Sequence, residues 1–275
     1  MVSDFHLPPT GFGPGSQPED EDLGFAPMPS GMRTYAPAIP DIAEAAAVAP
    51  ALDILGRIAA ACEAAADGGE GARLPLEGLA PAVRRLIAET LGQGEVSMQV
   101  RSQPKVAVQE SVFAGVWQVL GPGIDRVEIG TVPARALSAF DPLRPALGLD
   151  AAPRPGVANA PALLIELMEK STGYRPGQAA HVINLTLLPH SEADLVWLDE
   201  ALGEGAVAIL SRGYGNCRIT ATATPQVWRV QFFNSMDTLI LDTFEVTDMP
   251  EVALAAPEDL ADSAARLREV MEAMR

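Results

Sequence analysis

The sequence predicts an α+β protein made of two tandem copies of one unit, each a set of helices followed by an antiparallel sheet. Three observations carry the prediction. First, the chain matches itself at a shift of 111 positions. Leu91-Gly92-Gln93-Gly94 meets Leu202-Gly203-Glu204-Gly205, Val116-Trp117-Gln118-Val119 meets Val227-Trp228-Arg229-Val230, and Leu74 and Leu76 meet Leu185 and Leu187. Between Leu74 and Val119, 12 of 46 ungapped pairs are identical, and self-similarity at a fixed long period marks a repeated structural unit. Second, within each copy the apolar spacing changes from helical to alternating. Third, the alternating runs lie only a few residues apart, which leaves no room for the crossover helices that parallel strands require.

Residues 1–40 come first, as an extended or disordered acidic tail. They hold eight of the 24 prolines and the run Glu19-Asp20-Glu21-Asp22, a composition that cannot bury enough surface to order itself. Phe5, Phe12, Phe25 and Tyr35 leave two readings open, a segment that docks on a surface or a leader that packs back on its own domain.

Residues 41–137 form the first α+β repeat. A helical run covers Ala51 to Ala66, and a second helix follows from the stripe Leu79, Val83, Leu86, Ile87 and Leu91, closed by Gly92. Val96, Met98 and Val100, then Val116, Gln118 and Leu120, alternate as strands do. The Pro-rich connector 138–160, with Pro142, Pro145, Pro153 and Pro155, separates the copies.

Residues 161–275 are the second repeat. Ala162 to Lys170 opens it; Ser191 with Asp194 resembles a capping box before the stripe Leu195, Leu198 and Leu202, and Gly203 ends that helix. Val207 and Ile209, then Trp228, Val230 and Phe232, then Leu239 to Val246 supply its strands. Beyond them a shift of 117 aligns Glu128, Pro133, Ala136 and Leu137 with Glu245, Pro250, Ala253 and Leu254, so the second copy gains six residues near Phe232 to Asp237. Trp117 and Trp228 take equivalent strand positions as core anchors. Pro257, Glu258 and Asp259 start a C-terminal amphipathic helix whose stripe Leu260, Ala264, Leu267, Met271 and Met274 packs on the sheet or on a partner.

Charge narrows the partners. The chain carries 36 acidic against 19 basic side chains, a net −17, the reverse of what a phosphate backbone attracts, so no nucleic acid is expected. Such a field steers basic segments instead. The apolar stretch Ile42 to Ala66 is broken by Glu44, Pro50, Asp53, Arg57 and Glu63, so no membrane insertion is expected. The amino-terminal residues lack a basic n-region and an apolar h-region, which points to the cytoplasm.

The search for chemistry returns little. Cys62 and Cys217 stand 155 positions apart with no metal-binding spacing, so neither a metal nor another cofactor is expected. No phosphate loop, dinucleotide fingerprint, nucleophile elbow or metalloprotease motif occurs. The feature that departs most from the repeat is the turn Gly213-Tyr214-Gly215-Asn216-Cys217-Arg218, which stands where the first copy has Ser102-Gln103-Pro104-Lys105-Val106-Ala107. Cys217 falls opposite Val106, an ordinary strand residue, which favours a buried thiol; an adjacent Arg218 would instead lower its pKa and make it reactive. The second departure is the insertion Asn234-Ser235-Met236-Asp237-Thr238. Between them the two mix small, polar and aromatic groups suited to recognition, and together they are the expected binding rim.

Several segments carry a family likeness: Gly13-Pro14-Gly15-Ser16-Gln17-Pro18-Glu19-Asp20-Glu21, Met28-Pro29-Ser30-Gly31-Met32, the Gly213 to Arg218 turn, and Phe233 to Thr238 through Pro250-Glu251-Val252-Ala253-Leu254-Ala255-Ala256. They resemble the HupH/HyaF family of hydrogenase expression and formation proteins over nearly the whole chain. The resemblance implies a non-catalytic maturation factor for an uptake [NiFe] hydrogenase. It would act on the iron–sulfur-bearing small-subunit precursor before export, together with a companion chaperone. Two rivals stay open, a thiol-dependent enzyme using Cys217 and a general protein-binding scaffold.

Overall fold

The computed structural model describes residues 45–152, 154–212 and 216–275. The predicted tail 1–40 lies outside them, as do Gly213, Tyr214 and Gly215.

The chain alternates helices and strands in two series. The first runs α1 (Ala45–Ala66), β1 (Ala72–Pro75), α2 (Pro81–Leu91), β2 (Val96–Val100), β3 (Val106–Glu110), β4 (Val116–Gly121) and β5 (Ile124–Ile129). The second runs α3 (Ala160–Gly173), β6 (His181–Asn184), α4 (Glu192–Leu202), β7 (Val207–Ser211), β8 (Asn216–Ala221), β9 (Val227–Phe233), β10 (Leu239–Val246) and α5 (Pro257–Ala273). The ten strands among the described residues join one antiparallel sheet in the order β1-β5-β4-β3-β2-β7-β8-β9-β10-β6. Numbered within its series, the order reads the same from either edge, and the two series meet at the β2–β7 ladder, where Met98 lies opposite Ile209. The α+β prediction with a C-terminal helix therefore describes the architecture, although the strands of the two series join one sheet rather than two.

Equivalent residues do equivalent work across the middle of that sheet. Trp117 donates its indole N–H to the Gly130 carbonyl at 2.9 Å, and Trp228 donates to the Thr247 carbonyl at 3.1 Å. Ser111 Oγ accepts the Phe113 N–H, and Thr222 Oγ1 accepts the Thr224 N–H. Gly94 and Gly205 pass so near the carbonyls of Ser111 and Thr222 that a Cβ on either would collide with backbone, which is why a Gly-x-Gly follows both helices. One part of the self-alignment needs correcting. Leu74 lies opposite Val127 of β5 and Ile183 opposite Phe244 of β10, so at the first strand the shift is 109 rather than 111. Leu76 then corresponds to the buried Leu185, and Leu187 is left 79% exposed.

The two sheet faces are covered differently. Val116, Val127 and Ile129 pack beneath α1, α2 and α5, and Val227, Phe244 and Val246 beneath α3 and α4. The opposite face, with Met98, Val108, Trp117, Ile209, Cys217 and Trp228, is closed by the 3-10 turns Ala134–Ser138 and Glu251–Ala253 and the residues beside them. Each series is completed by chain from the other. Phe140 meets Trp228 edge-on at 5.2 Å between ring centroids. In return α5 lays Leu260, Leu267 and Val270 against Ile54, Leu55 and Ile58 of α1, and Ser263 Oγ donates to the Ala114 carbonyl at 3.0 Å. The stripe read from the sequence thus packs at home, each fully buried leucine contributing about 1.5–3 kcal/mol. α1 is the one helix among the described residues long and apolar enough to cross a bilayer; its Ala51, Leu55, Ile58 and Cys62 face is committed to this core.

α4 begins as its sequence predicts. Ser191 Oγ accepts the Asp194 N–H, and Asp194 Oδ2 accepts the Ser191 N–H at 2.9 Å, closing a capping box. Asp194 also reaches a second helix, its Oδ1 accepting from the N–H groups of Ala158, Asn159 and Ala160 at 2.8–3.0 Å. Burial alone would raise this carboxyl's pKa, but the backbone donors of Ser191, Ala160 and Ala158 hold it well below the usual carboxylate range. One side chain therefore ties the N-termini of α3 and α4 together.

Candidate functional site

The candidate rim is built by the hairpin that sets the two series apart. In the first, β4 and β5 are joined by a two-residue turn, with Gly121 opposite Ile124. In the second, β9 and β10 are joined by the five residues Asn234 to Thr238. The Asn234 side-chain oxygen accepts from the N–H groups of Met236 and Thr238 at 2.9 and 3.0 Å. The Asn234 N–H donates to the Thr238 carbonyl, and the Asn234 carbonyl accepts from the Asp237 N–H. Asn is suited to this self-bonded turn because its amide oxygen mimics a backbone acceptor. Asp237 sits at φ 55°, a left-handed conformation that Asp tolerates better than most residues.

The structure brings Asn216, where the described part of the first predicted segment begins, to the same end of the sheet as the insertion. Asn216, the first residue of β8, lies opposite Phe233, and its Nδ2 donates to Asp237 Oδ1 at 3.1 Å. Ser235, Met236, Asp237 and Thr238 are exposed, Met236 at 83%. Gly213, Tyr214 and Gly215 of the predicted rim lie outside the described residues. Cys217 and Arg218 part company, because successive strand residues face opposite ways. Arg218 goes to the helix-bearing face, over the Phe233 ring at 5.4 Å. Cys217 goes into the core beneath the 3-10 turns at 2% exposure. Burial, with the charge of Glu245 behind it, pushes its thiol up to about 12. A reactive cysteine needs the opposite shift, so the neighbouring arginine does not activate it. Cys62 in α1 is pushed up to about 12 by burial and by Glu63 in the same way.

The two histidines among the described residues are engaged elsewhere. His181 pairs with Glu166 at 2.8 Å, and His190 Nδ1 meets the Leu188 carbonyl at 2.9 Å beside the α4 cap. Among the described residues no group of three His, Cys, Asp or Glu side chains could hold a metal ion. A cavity of about 400 Å³ lies between α2 and the β4–β5 hairpin, floored by Leu76, Ile87 and Leu120 and crossed by the Arg84–Asp125 ion pair at 2.7 Å.

Sequence reasoning missed the apolar flank of the rim. Leu239 and Ile240, just past the turn, are 44% and 56% exposed, and the exposed Leu187 follows a residue that touches the same strand, Thr186 Oγ1 accepting the Asp242 N–H at 2.9 Å. Beneath them Arg229 grips the buried Asp242 with two bonds, 3.0 and 2.6 Å, a fork-to-carboxylate clamp that fixes the base of the hairpin. The available signal was the lengthened hairpin itself, since a strand that outruns its neighbour leaves apolar residues uncovered.

Comparison with known proteins gives a consistent set of relatives. The family model described as HupH hydrogenase expression protein, C-terminal conserved region, matches residues 48–147 and 157–274. The chain is 65% identical to the hydrogenase expression/formation protein HupH of Rhodobacter capsulatus, over 100% of both chains. It is 44% identical to the hydrogenase expression/formation protein HoxQ of Cupriavidus necator over 98% of each. To the hydrogenase-1 operon protein HyaF of Escherichia coli it is 33% identical, over 98% of this chain and 95% of that one.

Proposed function

Because the chain belongs to the HupH family of hydrogenase expression and formation proteins, and so serves as an accessory in hydrogenase maturation, we propose that it binds the small, iron–sulfur-bearing subunit precursor of a [NiFe] hydrogenase and protects it before export. The reading is non-catalytic: the protein holds its client on the rim formed by Asn216, Asn234, Ser235, Met236, Asp237 and Thr238, with Gly213, Tyr214, Gly215 and Arg218 as further members. A companion chaperone shares the client.

The observation that carries the reading is the exposed, self-bonded Asn234–Thr238 turn with Met236 at its tip. An unbranched thioether fits itself to irregular apolar surfaces, which is why methionine recurs at adaptable binding sites. Its place on an acidic chain supports a basic client, since a net charge of −17 raises the encounter rate with a positively charged segment and loses that advantage in salt. The deeply buried Cys217, with its raised pKa, supports binding over thiol chemistry.

The test is affinity purification from hydrogenase-expressing cells, with partners identified by mass spectrometry. Small-subunit precursor should be enriched with the wild type and lost when Tyr214 and Met236 are both replaced by serine. Undiminished enrichment with that double variant removes the rim from the account, and a set of unrelated proteins in place of the precursor returns the general-scaffold reading.

A further inference from the structure

The extra hairpin residues also leave part of the sheet edge open. β10 runs for eight residues, but β6 pairs only with Thr243 to Val246. Outside Leu239 to Asp242 no strand pairs among the described residues; the 3-10 turn Leu185–Leu187 lies beside β10 there, its Thr186 hydroxyl meets the Asp242 N–H, and Leu239 and Ile240 are left exposed. Ile240 is passed over on the inner side too, because the register with β9 steps from Leu239 opposite Phe233 to Leu241 opposite Phe232. The corresponding edge of the first series is closed, with β5 beginning at Ile124 and the Leu76 N–H bonding the Asp125 carbonyl just beyond β1.

Open strand edges are ordinarily blunted by lysine, proline or charge, since unpaired N–H and C=O groups recruit other chains. This edge reads Leu239-Ile240-Leu241, and no charged residue stands between Asp237 and Asp242. We infer that the outer edge of Leu239 to Leu241 is a strand-addition site that takes an extended apolar segment of the client, carrying a basic residue where it passes Asp237. The inference rests on the client-binding reading above and specifies how the client is held. The segment is extended because the free groups are those of a strand, which a new strand satisfies by main-chain bonds. It is apolar because Leu239, Ile240 and the neighbouring Leu187 offer aliphatic side chains to water. The basic residue answers Asp237, the exposed acid at the hairpin tip, within the acidic field of the whole chain.

The experiment uses the full chain and short overlapping peptides spanning the small-subunit precursor, with amide hydrogen exchange as the readout. At least one peptide should slow exchange across Leu239 to Leu241. Ile240→Lys, which keeps the backbone, and Ile240→Pro, which removes an N–H at the register step, should each weaken that peptide by about tenfold or more, and Ile240→Lys should leave the thermal midpoint unchanged. The same peptide methylated on alternate backbone nitrogens should fail to bind. Equal binding of the methylated peptide, or no protection by any peptide, overturns the inference. So does a concentration-dependent dimer of the wild type, seen by sedimentation and abolished by Ile240→Lys, which gives the edge to a second copy of this chain. Precursor that still co-purifies with both Ile240 variants overturns strand addition and leaves the proposed function standing, whereas precursor absent from the wild-type preparation removes both.

Discussion

Replacing Asp194 by asparagine should loosen the second half of the molecule by an amount that can be worked from its contacts. Asp194 Oδ1 accepts three backbone N–H groups of the α3 start, and Oδ2 accepts the Ser191 N–H and hydroxyl. Asparagine keeps the shape but has one oxygen. If that oxygen stays with α3, its NH2 confronts the Ser191 N–H, and a buried donor without an acceptor costs about 1–3 kcal/mol. Loss of the negative charge at two helix N-termini costs roughly 0.3–1 kcal/mol each. The sum is about 3 kcal/mol, a fall in midpoint of roughly 6–12 °C for a chain of this size. The deficit should depend on pH with a definite sign. The carboxyl's pKa is depressed in the folded state, so its contribution is present above the ordinary carboxylate range and is lost as pH falls below about 4. Thermal melts followed by circular dichroism should therefore show the gap between wild type and Asp194→Asn at neutral pH and a narrowing below pH ~4. A midpoint unchanged at pH ~7, or a gap that stays constant down to pH ~3, refutes the double-cap reasoning.

The remaining predictions concern separate parts of the fold. Glu110 is buried with the Gly115 N–H as donor at 3.3 Å; burial pushes its carboxyl up to about 7, against the bonds from Gly115 and Val96 and with the charges of Glu95 and Asp259. A raised folded pKa means stability present at acid pH and lost as pH rises through about 7, so Glu110→Gln should gain up to about 3 kcal/mol at pH ~8 and almost nothing at pH ~4, read by urea denaturation at both. Leu267→Ala should cost about 2–5 kcal/mol through the cavity left between α5 and α1, and exchange protection should fall in α1 as well as α5 if the exchange of segments is as described. Cys217→Ser should leave hydrogenase maturation under air intact while lowering the melting midpoint, because a hydroxyl replaces a packed thiol; loss of maturation with an unchanged midpoint would bring back the thiol-dependent enzyme.

How much of this was legible beforehand follows from which interactions are local. The helices announced themselves through spacing and caps, and the Ser191–Asp194 box formed as written because its four residues decide it. The central strands were readable because one side of each is buried, giving the alternation Val96, Met98, Val100. β1 and β6 were not, since four residues are too few for a period and their pairing partners lie more than 50 positions away; the resulting two-residue slip misplaced Leu187. That α5 would seal α1, and Phe140 meet Trp228, depends on contacts between the two series that no single window of sequence contains. At the rim, the six-residue gain marked the right hairpin and Asn216 and Asp237 do meet. At Cys217 the buried thiol favoured by its pairing with Val106 is what the strand holds, since alternation turns it away from the adjacent arginine. Of the open edge of β10 the lengthened hairpin was the one readable sign, because the rest exists only by comparison with a partner that stops short.

The account turns on what touches the hairpin tip in the cell, and a photo-crosslinking amino acid placed at position 236 tests that directly. Irradiation of hydrogenase-producing cells should give one dominant adduct, with the small-subunit precursor, and irradiation in lysate should give less of it when ionic strength is raised beforehand. An adduct with the large subunit, or none with any hydrogenase subunit, would contradict the assignment of client and rim together.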